Sequence, residues 1–420
     1  MKAVIFTLGC KVNECESASL ARALCARGWE VTEELEPADL YILNTCAVTA
    51  EAEKKSRQAV ARIRAVCPSA RIAVCGCAAE RAPASFAEKE GVFLVSGARR
   101  KGELIALLEE GACGVRIDGS DAPYDEMPAP RPQRARAFVK IQDGCNNFCS
   151  YCIIPYLRGR TRSRSLESAA AEILASPAEE VVITGIDVSS YRDGARDLAD
   201  LLLAVKDAPA RIRLGSLEAG VITPRLLDAA AQVRCFAPHF HLSLQSGSDA
   251  VLKRMNRHYT GEEFLSRVAL VRAAFPDAAV TTDIIAGFPG ETEADFAATC
   301  ALARRAGFSQ IHAFPYSRRT GTVAARMQDV PPAVKKERLH RLLGLGEELR
   351  RSYEARFVGR TLELVPEERK GGYTVGYSEN YIRLYVPGEP CSRARVRAVS
   401  PFRDGLLAEL SPAGRADSAE

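Results

Sequence analysis

The sequence contains no run of about 20 apolar residues, the length needed to cross a bilayer. Its first strand-like stretch, KAVIFTLG, is too short for a signal peptide and carries no small-residue cleavage site. A cytoplasmic protein with no membrane partner is expected. Excess charge is also lacking: 57 Lys and Arg against 53 Asp and Glu leave +4. That balance admits a nucleic-acid partner without arguing for one. Histidine is scarce, five in 420 residues, which leaves little material for histidine-based metal sites. Cysteine, by contrast, is plentiful at 14. In a reducing compartment so many thiols make a poor disulfide framework and read better as metal ligands plus small buried hydrophobes. With 47% hydrophobic residues the chain can build sizeable cores, and its length suggests about three domains.

Periodicity divides this α/β chain. KAVIFTLG, DLYILNTC, ARIAVCGC and VFLVSG read as buried parallel strands, with helical sequence near 14–28, 50–66, 80–90 and 101–110. Residues 1–115 are therefore expected to form a small doubly wound domain. DGSDAPYDEMPAPRP lies within an expected linker at 116–133, rich in proline and acids. From 134 to 356, RARAFVKIQDG, VVITGI, RIRLGS, FHLSLQ, VTTDIIAG and IHAFPYS alternate with helical sequence. This is the rhythm of a partly closed (β/α) barrel of about six strands, and a charged helix leaves it near 332–356. Short strands punctuated by Gly and Pro fill 357–410, as in a small all-β, OB-like barrel, and 411–420 is expected to be a disordered tail.

DGCNNFCSYC, residues 143–152, places Cys145, Cys149 and Cys152 at C-x3-C-x2-C spacing. Three readings are open. Buried structural thiols fit poorly beside Gly144 and two asparagines, which mark a loop. Structural zinc wants four tetrahedral ligands, and no second CxxC or HxxxH pair lies nearby. A 4Fe-4S cluster held by three thiolates leaves one iron open. Elsewhere, Cys10, Cys46 and Cys77 end three predicted strands of the first domain, where open α/β sheets gather ligands. Taken singly, each reads as a buried free cysteine.

The cysteine loop, with Tyr151 before its last thiol, resembles the signature of radical S-adenosylmethionine enzymes. LGCKVNECES, NTCAVT and CGCAAE resemble the three cluster-binding segments of the methylthiotransferase family. That family joins an N-terminal cluster domain, a radical S-adenosylmethionine barrel and a C-terminal TRAM barrel. TLGCKVNE, GCNNFCSYCIIPYLRGRTRSR, LQSGSDAVLKRMNRHYT, DIIAGFPGETEADF and FPYSRRTGTVAARM resemble its MtaB branch. The resemblance implies addition of a methylthio group to C2 of N6-threonylcarbamoyladenosine, beside the tRNA anticodon at position 37. It implies two 4Fe-4S clusters, one on Cys145, Cys149 and Cys152 and one on Cys10, Cys46 and Cys77. S-adenosylmethionine would bind the open iron of the first, and one-electron cleavage would give a 5′-deoxyadenosyl radical. The second would carry the sulfur.

The family's cofactor contacts fall on TGID with Gly185 and Asp187, on Glu218, on QSGSD with Gln245 and Ser246, and on AGFPG with Gly287 and Pro289. Tyr151 joins them. Each alone is an ordinary βα turn, and Thr292 with Asp295 reads as a capping box. The sequence departs from the family at Cys15, where an aromatic is common, and Cys75 lies two residues before Cys77. Partners implied are a tRNA anticodon stem-loop, an electron donor such as flavodoxin or ferredoxin, and a sulfur donor; a monomer is expected. Arg158, Arg160, Arg162 and Arg164 alternate at period two, so an extended segment would line them up for phosphates. Phe314, Tyr316, Arg318 and Arg319 are candidates for stacking and phosphate contact. The C-terminal barrel has no basic excess, and Arg393, Arg395 and Arg397 are its one basic strand. Rival readings are sister enzymes acting on isopentenyladenosine in tRNA or on a ribosomal-protein aspartate, and a non-enzymatic RNA-binding module with structural metal.

Overall fold

Apolar runs with little alternation become strands covered on both faces. In the computed structural model, which describes residues 1–119, 123–130, 135–390 and 392–411, Lys2–Thr7, Leu40–Thr45, Ile72–Gly76 and Val92–Ser96 form the middle of a parallel sheet. Leu40–Thr45 is buried at every residue, as expected of a strand with helices above and below. Helices Lys11–Cys25 and Glu103–Glu109 cover one face, and Ala50–Val66 covers the other. Short edge strands, Glu30–Thr32 and Gly114–Arg116, bring the sheet to six. They go beyond the four that periodicity predicts, because three residues, exposed or half-buried, leave no apolar pattern to read. Along the sheet the order is Glu30–Thr32, Lys2–Thr7, Leu40–Thr45, Ile72–Gly76, Val92–Ser96, Gly114–Arg116. Winding therefore reverses between Lys2–Thr7 and Leu40–Thr45, and a crevice opens at the carboxyl ends beside such a reversal.

The second series gives six parallel barrel positions: Arg136–Asp143, Glu180–Gly185, Arg211–Leu214 continued by Ser216–Leu217, His239–Leu242, Ala279–Ala286 and Gln310–Pro315. Two four-stranded sheets meet where Gly215 interrupts the third strand. A Cβ there would lie 2.9 Å from the Ile183 carbonyl oxygen, so only glycine lets the backbone pass. The first and last barrel strands do not pair with each other, and the barrel is open on that side. Helix Lys11–Cys25 packs against its first strand. Val139, Ile183, Leu214, Phe240 and Val280 face the outer helices in one continuous core.

After helix Pro332–Ala355, five strands from Thr361 to Leu410 close into a small barrel. It docks through a buried hub. Glu180 accepts hydrogen bonds from Arg211 at 2.5 Å and Arg213 at 2.8 Å. The same arginines reach into the small barrel, to the carbonyls of Glu363 at 2.8 Å, Tyr377 at 3.0 Å and Ser378 at 3.0 Å. Within the expected linker, Tyr124 donates to the Lys140 carbonyl at 2.7 Å and Asp125 accepts from the Gly102 amide at 2.9 Å. Residues 120–122 and 131–133 of that linker, and 412–420 of the expected tail, lie outside the described residues. Among the described residues, no helix is long and apolar enough to cross a membrane.

Candidate active site

The loop carrying Cys145, Cys149 and Cys152 leaves the carboxyl end of the first barrel strand through a turn that needs glycine. Gly144 has φ 69°, and a Cβ there would collide with the Arg160 carbonyl. Gln142, fully buried, clamps the turn by donating to the carbonyls of Asp143 at 2.9 Å and Gly144 at 2.7 Å. From across the barrel, Asn256 donates to the carbonyls of Asn147 at 3.1 Å and Phe148 at 3.2 Å, holding Phe148 at φ 45°. Ser150 donates its amide to the Met255 carbonyl at 2.9 Å. Burial pushes the Cys145 and Cys152 thiols up to about 12, and the thiols of the loop repel one another's charged forms.

Donors converge on these sulfurs. The Asn147 amide points at Cys145 Sγ at 3.4 Å, and Arg257 Nη1 at Cys149 Sγ at 3.5 Å. Sequence reasoning passed over Arg257. Its side chain is 4% exposed, and it bonds Glu218, the Ser243 carbonyl and Tyr259. A buried arginine is the only signal it offered, and burial is invisible in MNRHYT. Asp187, at the end of Glu180–Gly185, is bonded by Asn147 Nδ2 at 3.1 Å, and burial pushes its carboxyl up. Glu218 is raised the same way. Gly185 lets the strand press on Gln142, which a Cβ would approach to 3.0 Å.

Other expected contacts divide. Gln245 adopts φ 67° and is half-buried at the mouth. Ser246 is fully buried and bonded to Thr299 Oγ1 at 3.2 Å, so it braces the turn and faces away from the mouth. Gly287 has φ 68°, and its missing Cβ makes room for Lys335, while Pro289 is buried. Phe288, between them, packs edge-on against Tyr151 at 6.4 Å. Thr292 and Asp295 form the expected capping box at the head of Glu293–Ala306.

Cys10, Cys46 and Cys77 follow three strands that straddle and adjoin the winding reversal, and the fold brings them together. A Cβ on Gly9, at φ 117°, would lie 2.7 Å from Cys46 Cβ and 2.9 Å from its sulfur. Asn13 ties the loops by donating to the carbonyls of Leu8 at 2.8 Å and Thr45 at 3.0 Å. Burial pushes Cys46 up to about 11, with Cys77 and Cys10 adding to the effect. Cys77 is raised too, while Arg158 and Lys101 beside it draw it back. Cys75 points to the opposite face of the sheet, into the core with Leu20 and Leu104. Cys15 is buried and bonded to the Phe138 carbonyl at 3.2 Å. The two trios are neighbours: Ile153 and Leu157, just past Cys152, share a core with Cys77 and Ala78.

Residues 2–97 match uncharacterized protein family UPF0004, and residues 139–303 match the radical SAM superfamily. The threonylcarbamoyladenosine tRNA methylthiotransferase MtaB of Bacillus subtilis is 38% identical over 403 residues, covering 91% of this chain and 89% of that protein. A tRNA-2-methylthio-N(6)-dimethylallyladenosine synthase of Cereibacter sphaeroides is 35% identical over 427 residues, covering 97% of this chain and 98% of that protein. The chain belongs to the radical SAM methylthiotransferase family. Its fold is shared by the radical S-adenosylmethionine methyltransferase TsrM of Kitasatospora setae, with a TM-score of 0.57 over 77% of each chain at 17% identity.

As a radical SAM methylthiotransferase the protein uses S-adenosylmethionine and 4Fe-4S clusters, and both trios suit such groups. Amide and guanidinium donors aimed at sulfur stabilise thiolate ligands. Among the described residues, no three His, Cys, Asp or Glu converge tightly enough for a single metal ion. The expected row of phosphate-binding arginines is corrected. Arg158 ends a short helix, Ile154–Arg158, and is fully buried against Glu16 at 2.8 Å and Asp143 at 3.0 Å. Arg162 pairs with Asp143 at 3.2 Å, and Arg164 is buried against Glu126 and Glu172. Only Arg160 of the four is exposed, lying 4.7 Å from the Phe148 ring centre. Tyr316 and Arg319 are buried, while Phe314 and Arg318 are exposed. On the methylthiotransferase's small barrel, Arg395 and Arg397 face outward, but Arg393 turns toward Glu363 at 3.5 Å.

Proposed function

We propose that this protein adds a methylthio group to C2 of N6-threonylcarbamoyladenosine, next to the anticodon of tRNA. The observation that carries the reading is the pair of three-thiol sites on neighbouring loops, joined by the core of Ile153, Leu157 and Cys77. The C2–H bond of adenine offers no removable proton, so acid–base catalysis cannot open it. Cysteines 145, 149 and 152 would hold one cluster and cysteines 10, 46 and 77 the other. Bound there with S-adenosylmethionine, the clusters supply hydrogen abstraction from carbon and the incoming sulfur. The chain's own residues orient and enclose. Asp187 and Glu218 offer acceptors to the amino group and ribose of S-adenosylmethionine, and Arg257 offers a buried cation to its carboxylate. Tyr151 and Gln245 border the same mouth.

Relatives of this length carry the name MtaB at 38% identity and the dimethylallyladenosine name at 35%, so the nucleoside itself decides. Arg160, Arg395, Arg397 and the exposed Phe314 are the RNA contacts in this reading. The enzyme works as a cytoplasmic monomer, drawing electrons from a flavodoxin- or ferredoxin-type protein and sulfur from a separate donor. Mass analysis of tRNA nucleosides from a deletion strain is the test. Loss of the methylthio mark on threonylcarbamoyladenosine is expected. Loss on isopentenyladenosine would reassign the substrate, and unchanged tRNA would turn attention to a protein substrate.

A further inference from the structure

The inner face of the central barrel is polar. His241 lies 3.0 Å from Thr281 Oγ1 and 3.2 Å from Asp283, and its ring centre is 5.7 Å from that of His312. Lys11, the residue after Cys10, extends over Phe138 of the first barrel strand, its Nζ 5.9 Å from the ring centre. Burial above all, with a smaller push from the Lys11 charge, holds His239 and His312, on the fourth and sixth strands, toward the neutral form, while Asp283 pulls His312 the other way. Lys11, exposed and lying against the first strand, and His312, on the last strand, thus flank the open side of the barrel. Among the described residues Lys11 has no acidic partner within ion-pair distance, and the His312 ring makes no hydrogen bond. Nearly every other cation in this part of the molecule is matched: Lys140 and Arg158 by Glu16 and Asp143, Lys101 by Glu16, Arg213 by Glu180.

We propose that Lys11, with the imidazole of His312, forms a subsite for the carboxylate on the N6 substituent of the target adenosine. The inference rests on the threonylcarbamoyl reading above and deepens it. The N6 substituent and C2 share the Watson–Crick edge of adenine. Because Lys11 directly follows Cys10, a carboxylate held there brings that edge toward the trio of Cys10, Cys46 and Cys77. A cation and a neutral imidazole N–H suit an anion, whereas an isopentenyl group would leave Lys11 desolvated and unpaired. The chemistry thus selects an anionic substituent over an apolar one.

The test compares full-length protein, reconstituted without oxygen, on three anticodon hairpins. One carries threonylcarbamoyladenosine, one its methyl ester and one isopentenyladenosine. Affinities are read by fluorescence anisotropy and iron is counted in each preparation. Wild type should prefer the free acid to the ester by about tenfold, the scale of one charge-assisted contact. Lys11→Gln should bind both equally, with ester affinity and iron content unchanged. His312→Ala, distant in sequence from every cysteine segment, should lower the preference about fivefold. Undiminished preference in both variants would overturn the subsite. Wild type that favours the isopentenyl hairpin would instead overturn the substrate reading itself.

Discussion

Two residues apart in the chain, Cys75 and Cys77 have opposite fates, and the end of the strand between them explains why. Strand alternation alone would put the two on one face, but the strand ends at Gly76, φ 96°, and Cys77 opens the short helix Cys77–Arg81, so Cys75 enters a core while Cys77 ends beside Arg158 and Lys101. The six cysteines gathered into trios should divide the work. Replacing Cys145, Cys149 or Cys152 by Ala should abolish S-adenosylmethionine cleavage, read as 5′-deoxyadenosine. Replacing Cys10, Cys46 or Cys77 should abolish thiolation and leave cleavage measurable. Each change should remove about half the iron of the anaerobic wild type; wild type with iron for one cluster alone would sink the two-cluster reading. The flanking residues of the cysteines were distinctive enough to suggest the two groups, and the fold sets Cys46 beside Cys10 and Cys77. The arginines after them were not legible. Period two suggested an extended row, but Ile154–Arg158 is helical and Arg158 turns inward to Glu16 and Asp143. Nothing local announces that pairing, since Glu16 lies 142 residues away.

Elements were easier to read than their arrangement. Most barrel strands are visible as apolar or alternating runs, because burial and local pattern mostly coincide; the buried arginines of Arg211–Leu214 are the exception. Sheet order is not visible, since it depends on pairings between distant segments, and the two three-residue edge strands carry no pattern. The cysteine loop shows how sharply an element can depend on one position. It pivots at Gly144, where φ is 69° and the space for a Cβ is filled by the Arg160 backbone. Gly144→Ala must therefore push Arg160 and Thr161 away or rotate the loop. The expected cost is about 1–3 kcal/mol of local strain, spent at the loop and not across the fold. Iron and S-adenosylmethionine affinity at the first trio should fall while the second trio keeps its iron. Equal iron loss at both trios, or none, would show that the turn is not the pivot.

For the molecule as a whole, two buried acids act as hinges between units. Glu16 gathers Lys101, Lys140 and Arg158 where the first domain meets the central barrel. Glu180 gathers Arg136, Arg211 and Arg213 where the small barrel docks, and Tyr381 seals that junction by stacking on His239 at 4.2 Å. Docking fixes the small barrel, with Arg395 and Arg397, relative to the thiol loops, so an RNA touching both is held at one spacing. The surrounding guanidiniums lower the Glu180 carboxyl from 4.5 to about 2 against the opposing cost of burial. A depressed folded-state value means the stabilisation is fully present above pH 4.5 and drains away as pH falls toward 2. Its size is of the order of 3 kcal/mol. Glu180→Gln leaves three arginines facing a neutral amide and should cost about 3–5 kcal/mol near neutral pH. Urea melts of wild type and variant, run at neutral pH and stepwise through the acid window, read this directly. The gap between them should be widest above pH 4.5 and narrow steadily below it. Hydrogen exchange should place the loss in Thr361–Lys370 and Tyr373–Tyr377, the strands that the arginines hold. A gap that stays constant down to pH 2 would mean that Glu180 acts through packing and not through its charge.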